Sequence, residues 1–251
     1  MAKRSARRAM RRSQDSAHLP DTDNVRRLFD EPPWSPVEES DRTQKYRKNI
    51  RAQNESQQQL LDAIDKASLA FAVGSAGTGK TYLAVAKAVE ALEAGDVRRI
   101  ILSRPAVEAG ESLGFLPGDM EEKLSPYLRP LYDALVDRLS TKRLKALLAE
   151  GVIEIAPIAY MRGRTLNNSY ILIDEAQNCT YGQLKMLLTR LGWNSCMVVT
   201  GDPGQTDLLP GMSGLQDVVD KLDPLDNVEI VRFSRQDVVR HPLVADVIDV
   251  L

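Results

Sequence analysis

Residues 68–92 constrain this chain most: the apolar run "SLAFAV" passes through the glycine-rich "GSAGTGKT" into the helical stretch "YLAVAKAVEAL". An apolar strand followed by a helix begins a crossover unit, and the alternation continues. The runs "RIILS", "VIEIAP", "YILID", "CMVVTGD" and "NVEIVRF" are interleaved with the helical stretches "PYLRPLYDALVDRL", "KRLKALLAE" and "YGQLKMLLTRL". Strands alternating with helices predict crossover connections and a mostly parallel sheet flanked by helices, an α/β fold. No internal repeat is visible, and there is room for one such sheet.

Ahead of this pattern, charge falls in blocks. Residues 1–12 carry six Lys/Arg and no acid, residues 13–41 eight Asp/Glu against two Arg, and residues 42–51 five Lys/Arg and no acid. With Pro20, Pro32, Pro33 and Pro36 and little apolar periodicity, residues 1–52 are expected to be a flexible charged arm preceding a domain over 53–251. The arm is either a solvated tail or a basic lead attracted to nucleic-acid phosphates. Phe29 and Trp34 offer it docking points. With 251 residues, 43% of them hydrophobic, and a net charge of -2, the chain suits one globular domain plus extensions.

Cys179 and Cys196 form no CxxC pair, and His18 and His241 are too few to suggest zinc; His241 is expected to be structural. Both thiols suit core positions in a reducing cytoplasm. No apolar stretch approaches the roughly 20 residues that span a bilayer, and the basic start lacks a signal's apolar segment, so no membrane partner is expected.

Gly74, Gly79, Lys80 and Thr81 match the Walker A phosphate-loop spacing, between a strand and a helix as the chemistry requires. Gly74, Ser75, Ala76, Gly77, Thr78 and Gly79 would wrap backbone N–H groups around phosphate oxygens, helped by the positive end of the following helix. Lys80 would bridge the terminal phosphates, and Thr81 would ligate Mg²⁺.

"YILIDEAQ" supplies an acidic strand end. Ligands in open parallel sheets lie at the strands' carboxyl ends, so Asp174 is expected beside Thr81 as metal partner, with Glu175 as base for the attacking water. In "VVTGDPGQTDL", Gln205 would contact the γ-phosphate or that water; Gly-Asp-Pro-Gly is also ordinary turn chemistry.

These strand-end motifs, in this order, resemble the core of superfamily-1 helicases and, more narrowly, the PhoH family of phosphate-starvation-inducible ATPases. "GTGKTYLA", "SRPAVEAGESLGFLPGDMEEKLSPYLRPLYDAL", "IEIAPIAYMRGRTLNN", "ILIDEAQNCT", "LLTRLG", "TGDPGQTDL" and "DVVRHPLV" carry the likeness across residues 57 to about 246. It implies a RecA-like P-loop NTPase, ATP and Mg²⁺ as cofactors, ATP hydrolysis, and a link to RNA unwinding or processing. By the same resemblance Gln57 is the upstream glutamine that reads adenine, although Leu60 stands where many relatives place Tyr. Arg104 would touch nucleic acid or phosphate. Arg162 and Arg164 would line a nucleic-acid path, reach a neighbour's nucleotide, or form surface ion pairs.

Helicases of this superfamily hold ATP between two RecA-like domains, and this chain has sequence for one. A neighbouring subunit would close the site, which implies a homo-oligomer, a hexameric ring by resemblance. Arg240 is the expected stabilising arginine and Arg235 the runner-up, with a local pair to Asp237 as the plainer alternative. The expected function is therefore an ATPase acting on RNA or single-stranded nucleic acid. The competing function is a nucleotide-binding switch or assembly module with little turnover, for which Glu175 and Gln205 would not be needed.

Overall fold

The computed structural model describes residues 50–105 and 120–239. Arg240, His241 and nearly all of the expected arm lie outside them. In chain order the elements are α1 (Glu55–Lys66), β1 (Leu69–Gly74), α2 (Lys80–Ala94), β2 (Arg99–Arg104), α3 (Met120–Val136), α4 (Thr141–Ala149), β3 (Ile153–Pro157), β4 (Ser169–Ile173), α5 (Tyr181–Leu188), β5 (Cys196–Gly201), α6 (Leu215–Leu222) and β6 (Val228–Phe233). Each apolar run quoted above becomes a strand.

Helices α1 and α6 were not among those expected. Asn54 starts α1 by accepting the Gln57 N–H on its side chain, which satisfies one donor of the first turn. The apolar residues of α6 recur at helical spacing, Leu215, Val218, Val219 and Leu222, and the first three are buried.

The strands form one six-stranded sheet in the order β3-β2-β4-β5-β1-β6, and every pairing is parallel. Successive strand residues point to opposite faces, which divides the core in two. Ala70, Ala72, Ile100, Leu102, Leu172 and Val198 pack under α1, α2, α3 and α4. Phe71, Val73, Ile101, Ile171, Ile173 and Val199 pack under α5 and α6. A sheet covered on both faces needs strands apolar throughout, which is why these runs show no alternation.

Cys179 lies in the second core cluster, and Cys196 packs against the first. Burial pushes their thiols up to about 12 and about 11, so both are protonated near neutral pH. Among the described residues no helix is long and apolar enough to cross a membrane.

The common strand direction brings all carboxyl ends to one side of the sheet. There β5 separates β1 from β4, and β2 separates β4 from the edge strand β3. The turns leaving β1, β2, β4 and β5 thus converge.

Candidate active site

β1 must end in glycine. A Cβ on Gly74 would lie 1.9 Å from the Phe233 carbonyl oxygen of β6, and its φ is +129°. Gly77 and Gly79 are left-handed at φ 80° and 85°, and Gly79 caps the start of α2. The loop therefore curls tightly onto the positive end of a helix, an arrangement that binds anions.

Lys80 is buried and donates from Nζ to the carbonyl oxygens of Gly74 and Ser75, both at 2.7 Å, and to Thr78 Oγ1 at 3.3 Å. Burial lowers its pKa, with the charges of Asp202, Glu175 and Asp174 opposing the shift. Its hydrogen-bond partners are neutral oxygens, so its charge remains available to an anion.

At the end of β4, Asp174 is 2% exposed. One carboxylate oxygen accepts from Thr81 Oγ1 and from Thr200 Oγ1, each at 2.6 Å. Thr200 comes from β5, so that strand braces the acid from the side. Thr81 and Asp174 present hard oxygen donors next to the phosphate loop, the set that Mg²⁺ takes together with phosphate oxygens and water. Among the described residues no cluster of three or more His, Cys, Asp or Glu could hold a metal unaided. The donor pair fits a metal that arrives with phosphate.

Glu175 follows in a left-handed conformation, φ 53°, which directs it away from the strand. Its carboxylate accepts from Gln177 Nε2, while Gln177 Oε1 accepts the Asp202 N–H at 3.0 Å. Gln177 therefore links the ends of β4 and β5. Arg104, at the end of β2, stands 3.6 Å from both Asp174 and Glu175 and offsets the repulsion between two adjacent carboxylates.

From β5, Asp202 accepts the Ala76 N–H of the phosphate loop at 3.0 Å and the Gly204 N–H at 3.0 Å. The Gly-Asp-Pro-Gly segment is thus both a turn and a wall of the site. The cleft enclosed is about 290 Å³ and is lined by Ala76, Gly79, Lys80, Thr81, Glu175 and Gln205 among others. That is the small end of the roughly 300–1,000 Å³ of ligand pockets, suited to a phosphate chain rather than a whole nucleotide. A wider cleft of about 990 Å³ opens at the amino ends of β1, β4 and β5 and shares no residue with it.

The structure thus brings together Lys80, Thr81, Asp174, Glu175 and Gln205, and adds Arg104 to them. Gln57 lies behind the loop, its Nε2 donating to Thr78 O at 3.0 Å and its Oε1 accepting the Gln53 N–H at 2.8 Å. One end of the amide holds the loop and the other the chain just ahead of α1, and Leu60 is fully buried in the core. Arg164 is taken by Glu154, which accepts both of its terminal nitrogens, while Arg162 is exposed. Arg235 is exposed on a 3-10 turn, Arg235–Asp237. Just beyond it the Val239 N–H donates to Gly77 O at 2.9 Å, so the segment leading to Arg240 is tied to the phosphate loop.

Sequence reasoning passed over Thr200, Gln177 and Asp202. Asp202 and Thr200 did carry a signal, polar residues closing an apolar strand. Gln177 lies two residues beyond Glu175 and shows its role only once β4 and β5 are neighbours.

The chain is similar to known proteins. The sequence profile of the PhoH-like protein family matches residues 49–251. A PhoH-like protein of Mycobacterium tuberculosis is 56% identical over 203 residues, covering 80% of this chain and 58% of that relative. A PhoH-like protein of Bacillus subtilis is 55% identical over 203 residues, covering 80% and 64%. Protein PhoH of Escherichia coli is 51% identical over 197 residues, covering 77% and 56%. The match thus spans less than two thirds of each relative's own length. Among solved structures, the large terminase of a thermophilic bacteriophage aligns with a TM-score of 0.49 at 13% identity, covering 78% of this chain and 49% of that one.

Proposed function

The chain belongs to the PhoH-like protein family, and from that premise we propose that it is a Mg²⁺-dependent ATPase working on RNA or another single-stranded nucleic acid as a homo-oligomeric, hexameric ring. The observation that carries the ATPase reading is the convergence of an anion-binding helix start, a buried lysine bonded only to neutral oxygens, and two adjacent carboxylates at one sheet end. A site built only to bind phosphate needs the first two; the second carboxylate, Glu175, is the feature hydrolysis requires.

In the proposed reaction the loop N–H groups and Lys80 hold the β- and γ-phosphates. Thr81 and Asp174 would hold Mg²⁺, which when bound neutralises phosphate charge. Glu175 orients a water and takes its proton as the water oxygen bonds to the γ-phosphorus. The bond from that phosphorus to the β,γ-bridging oxygen breaks, and ADP and inorganic phosphate leave. Gln205, exposed at the rim, is suited to contact the γ-phosphate or the water. An arginine of a neighbouring subunit, Arg240 or else Arg235, would neutralise charge in the transition state. The Val239 link to Gly77 supports a coupling between a subunit's own phosphate loop and the arginine it offers onward.

The test is ATP hydrolysis by the full chain with and without RNA and single-stranded DNA, repeated on Glu175→Gln. Mg²⁺-dependent turnover raised by one polymer, and lost in a variant that still binds ATP, is expected. Slow turnover indifferent to Glu175 would instead make the protein a nucleotide-binding switch. For the ring, mixing Lys80→Ala with Arg240→Ala subunits should restore hydrolysis that neither shows alone. Exchange of subunits without recovery would contradict a shared site.

A further inference from the structure

Past β3 the chain makes one 3-10 turn, Ile158–Met161, which buries Ile158 and Met161 and leaves Tyr160 58% exposed. Two residues on, Arg162 is exposed as well, followed by Gly163 in a left-handed turn, φ 75°.

This turn is braced. Arg164 makes a two-pronged pair with Glu154 of β3, at 2.5 and 2.7 Å, and reaches the Tyr160 carbonyl oxygen at 3.5 Å. Hydrogen bonding to Arg164 holds the Glu154 carboxyl below its usual range, and the same pairing raises Arg164. From α5's side, Arg190 donates to the Arg164 carbonyl oxygen at 3.0 Å. Two arginines thus fix the backbone, while an aromatic ring and a third arginine stay open to solvent.

The position is informative. Pro157, where β3 ends, is in register with Arg104 of β2. The neighbouring Ser103 carbonyl oxygen accepts the Asp174 N–H. The turn therefore stands two strand spacings from the acid pair, about 10 Å, with Arg104 between them.

We propose that Tyr160 and Arg162 form a contact for single-stranded nucleic acid, the ring stacking on a base and the guanidinium taking an adjacent phosphate. This rests on the nucleic-acid reading above and names residues for it. Among the described residues the turn offers one exposed ring and one exposed cation, which suit a base-and-phosphate repeat, since stacking tolerates any base and the phosphate requires a cation. A stable protein interface buries about 800 Å² on each partner, more than one ring and one guanidinium supply. Arg164, with its guanidinium committed to Glu154, is a strut for this contact and not part of it.

The test is fluorescence anisotropy of labelled oligouridine and oligothymidine with the full chain over a range of salt. Tyr160→Ala should weaken binding about 10-fold, the loss of one stacked base, with the salt slope unchanged. Tyr160→Phe, which keeps the ring, should bind as wild type does. Arg162→Ala should flatten the salt slope by roughly 0.7 for a single strand. A stronger response with one oligomer identifies the polymer. If wild type binds and Tyr160→Ala binds equally well, the contact is wrong and the nucleic-acid reading stands. If wild type binds neither oligomer, both fall. Unchanged affinity with an altered oligomeric state in Tyr160→Ala would make this a protein contact and overturn the proposal.

Discussion

Helix α2 carries two largely buried lysines on one face, about two turns apart, with opposite surroundings. Lys80, at the helix start, is bonded to two carbonyl oxygens and a hydroxyl. Lys87 pairs with Asp65 at 2.5 Å and Glu90 at 3.3 Å, beside the wider cleft. Burial lowers the pKa of both, but at Lys87 the hydrogen bonds and charge of Asp65 and Glu90 more than offset it, and the net shift is upward. Lys87 has its counter-ions within the fold and is structural. Among the described residues no carboxylate stands at hydrogen-bond distance from Lys80, whose natural complement is a phosphate.

The sharpest way to break this contrast is hydrolysis. Lys80→Ala should lower ATP turnover by about 100-fold or more through lost phosphate binding, and Glu175→Gln by a similar factor with ATP still bound, roughly 3 kcal/mol of barrier in each. Lys87→Ala should leave turnover within about twofold and cost under about 1 kcal/mol of stability, since its partners are exposed enough to hydrate. Steady-state kinetics and thermal unfolding of the three variants check both statements.

The two glycines that flank α2 sharpen the contrast next. Gly79 and Gly95 are both left-handed, at φ 85° and 83°. A Cβ on Gly95 meets open space, whereas one on Gly79 comes 3.1 Å from Gln57 Nε2. Gly95→Ala should cost the strain alone, about 1–2 kcal/mol. Gly79→Ala should cost more and also weaken ATP binding, because Gln57 carries Thr78. Equal effects on ATP binding in the two variants would mean that Gln57 does not shape the loop.

The smallest effect lies at the edge strand. The Glu154 carboxyl has a folded-state pKa below its ordinary 4.5. Its contribution is whole above the unfolded value and is lost as pH falls through the lower folded one. Wild type should exceed Glu154→Gln by about 0.5–1 kcal/mol at neutral pH. The gap should close in acid below the ordinary value, as measured by denaturant unfolding at several pH values.

Much of this was legible in the sequence, for reasons that differ by residue. The strands and helix α2 could be read because two-sided burial forces continuous apolar runs and a phosphate loop forces glycines. Lys80 and Thr81 could be placed at one site from the Walker A spacing, and Asp174 and Glu175 beside them from strand-end position. What stayed hidden depends on which strands are neighbours. Thr200 braces Asp174, and Gln177 joins Glu175 to Asp202, only because β5 lies beside β4. The Glu154–Arg164 strut needs the turn after β3, whose course no local pattern reveals. Arg240 lies outside the described residues, and its role stands on the resemblance.

The most direct test of the central claim, that the charge of Lys80 is kept for phosphate, is the shift in unfolding temperature that MgATP produces in wild type, Lys80→Ala and Lys87→Ala. A ligand that binds only the folded state raises its stability by about 2.7 kcal/mol at 100 times its Kd. Wild type and Lys87→Ala should rise equally, the latter from a lower starting point, and Lys80→Ala should not move. A rise in Lys80→Ala equal to that of wild type, or none in Lys87→Ala, would contradict the account.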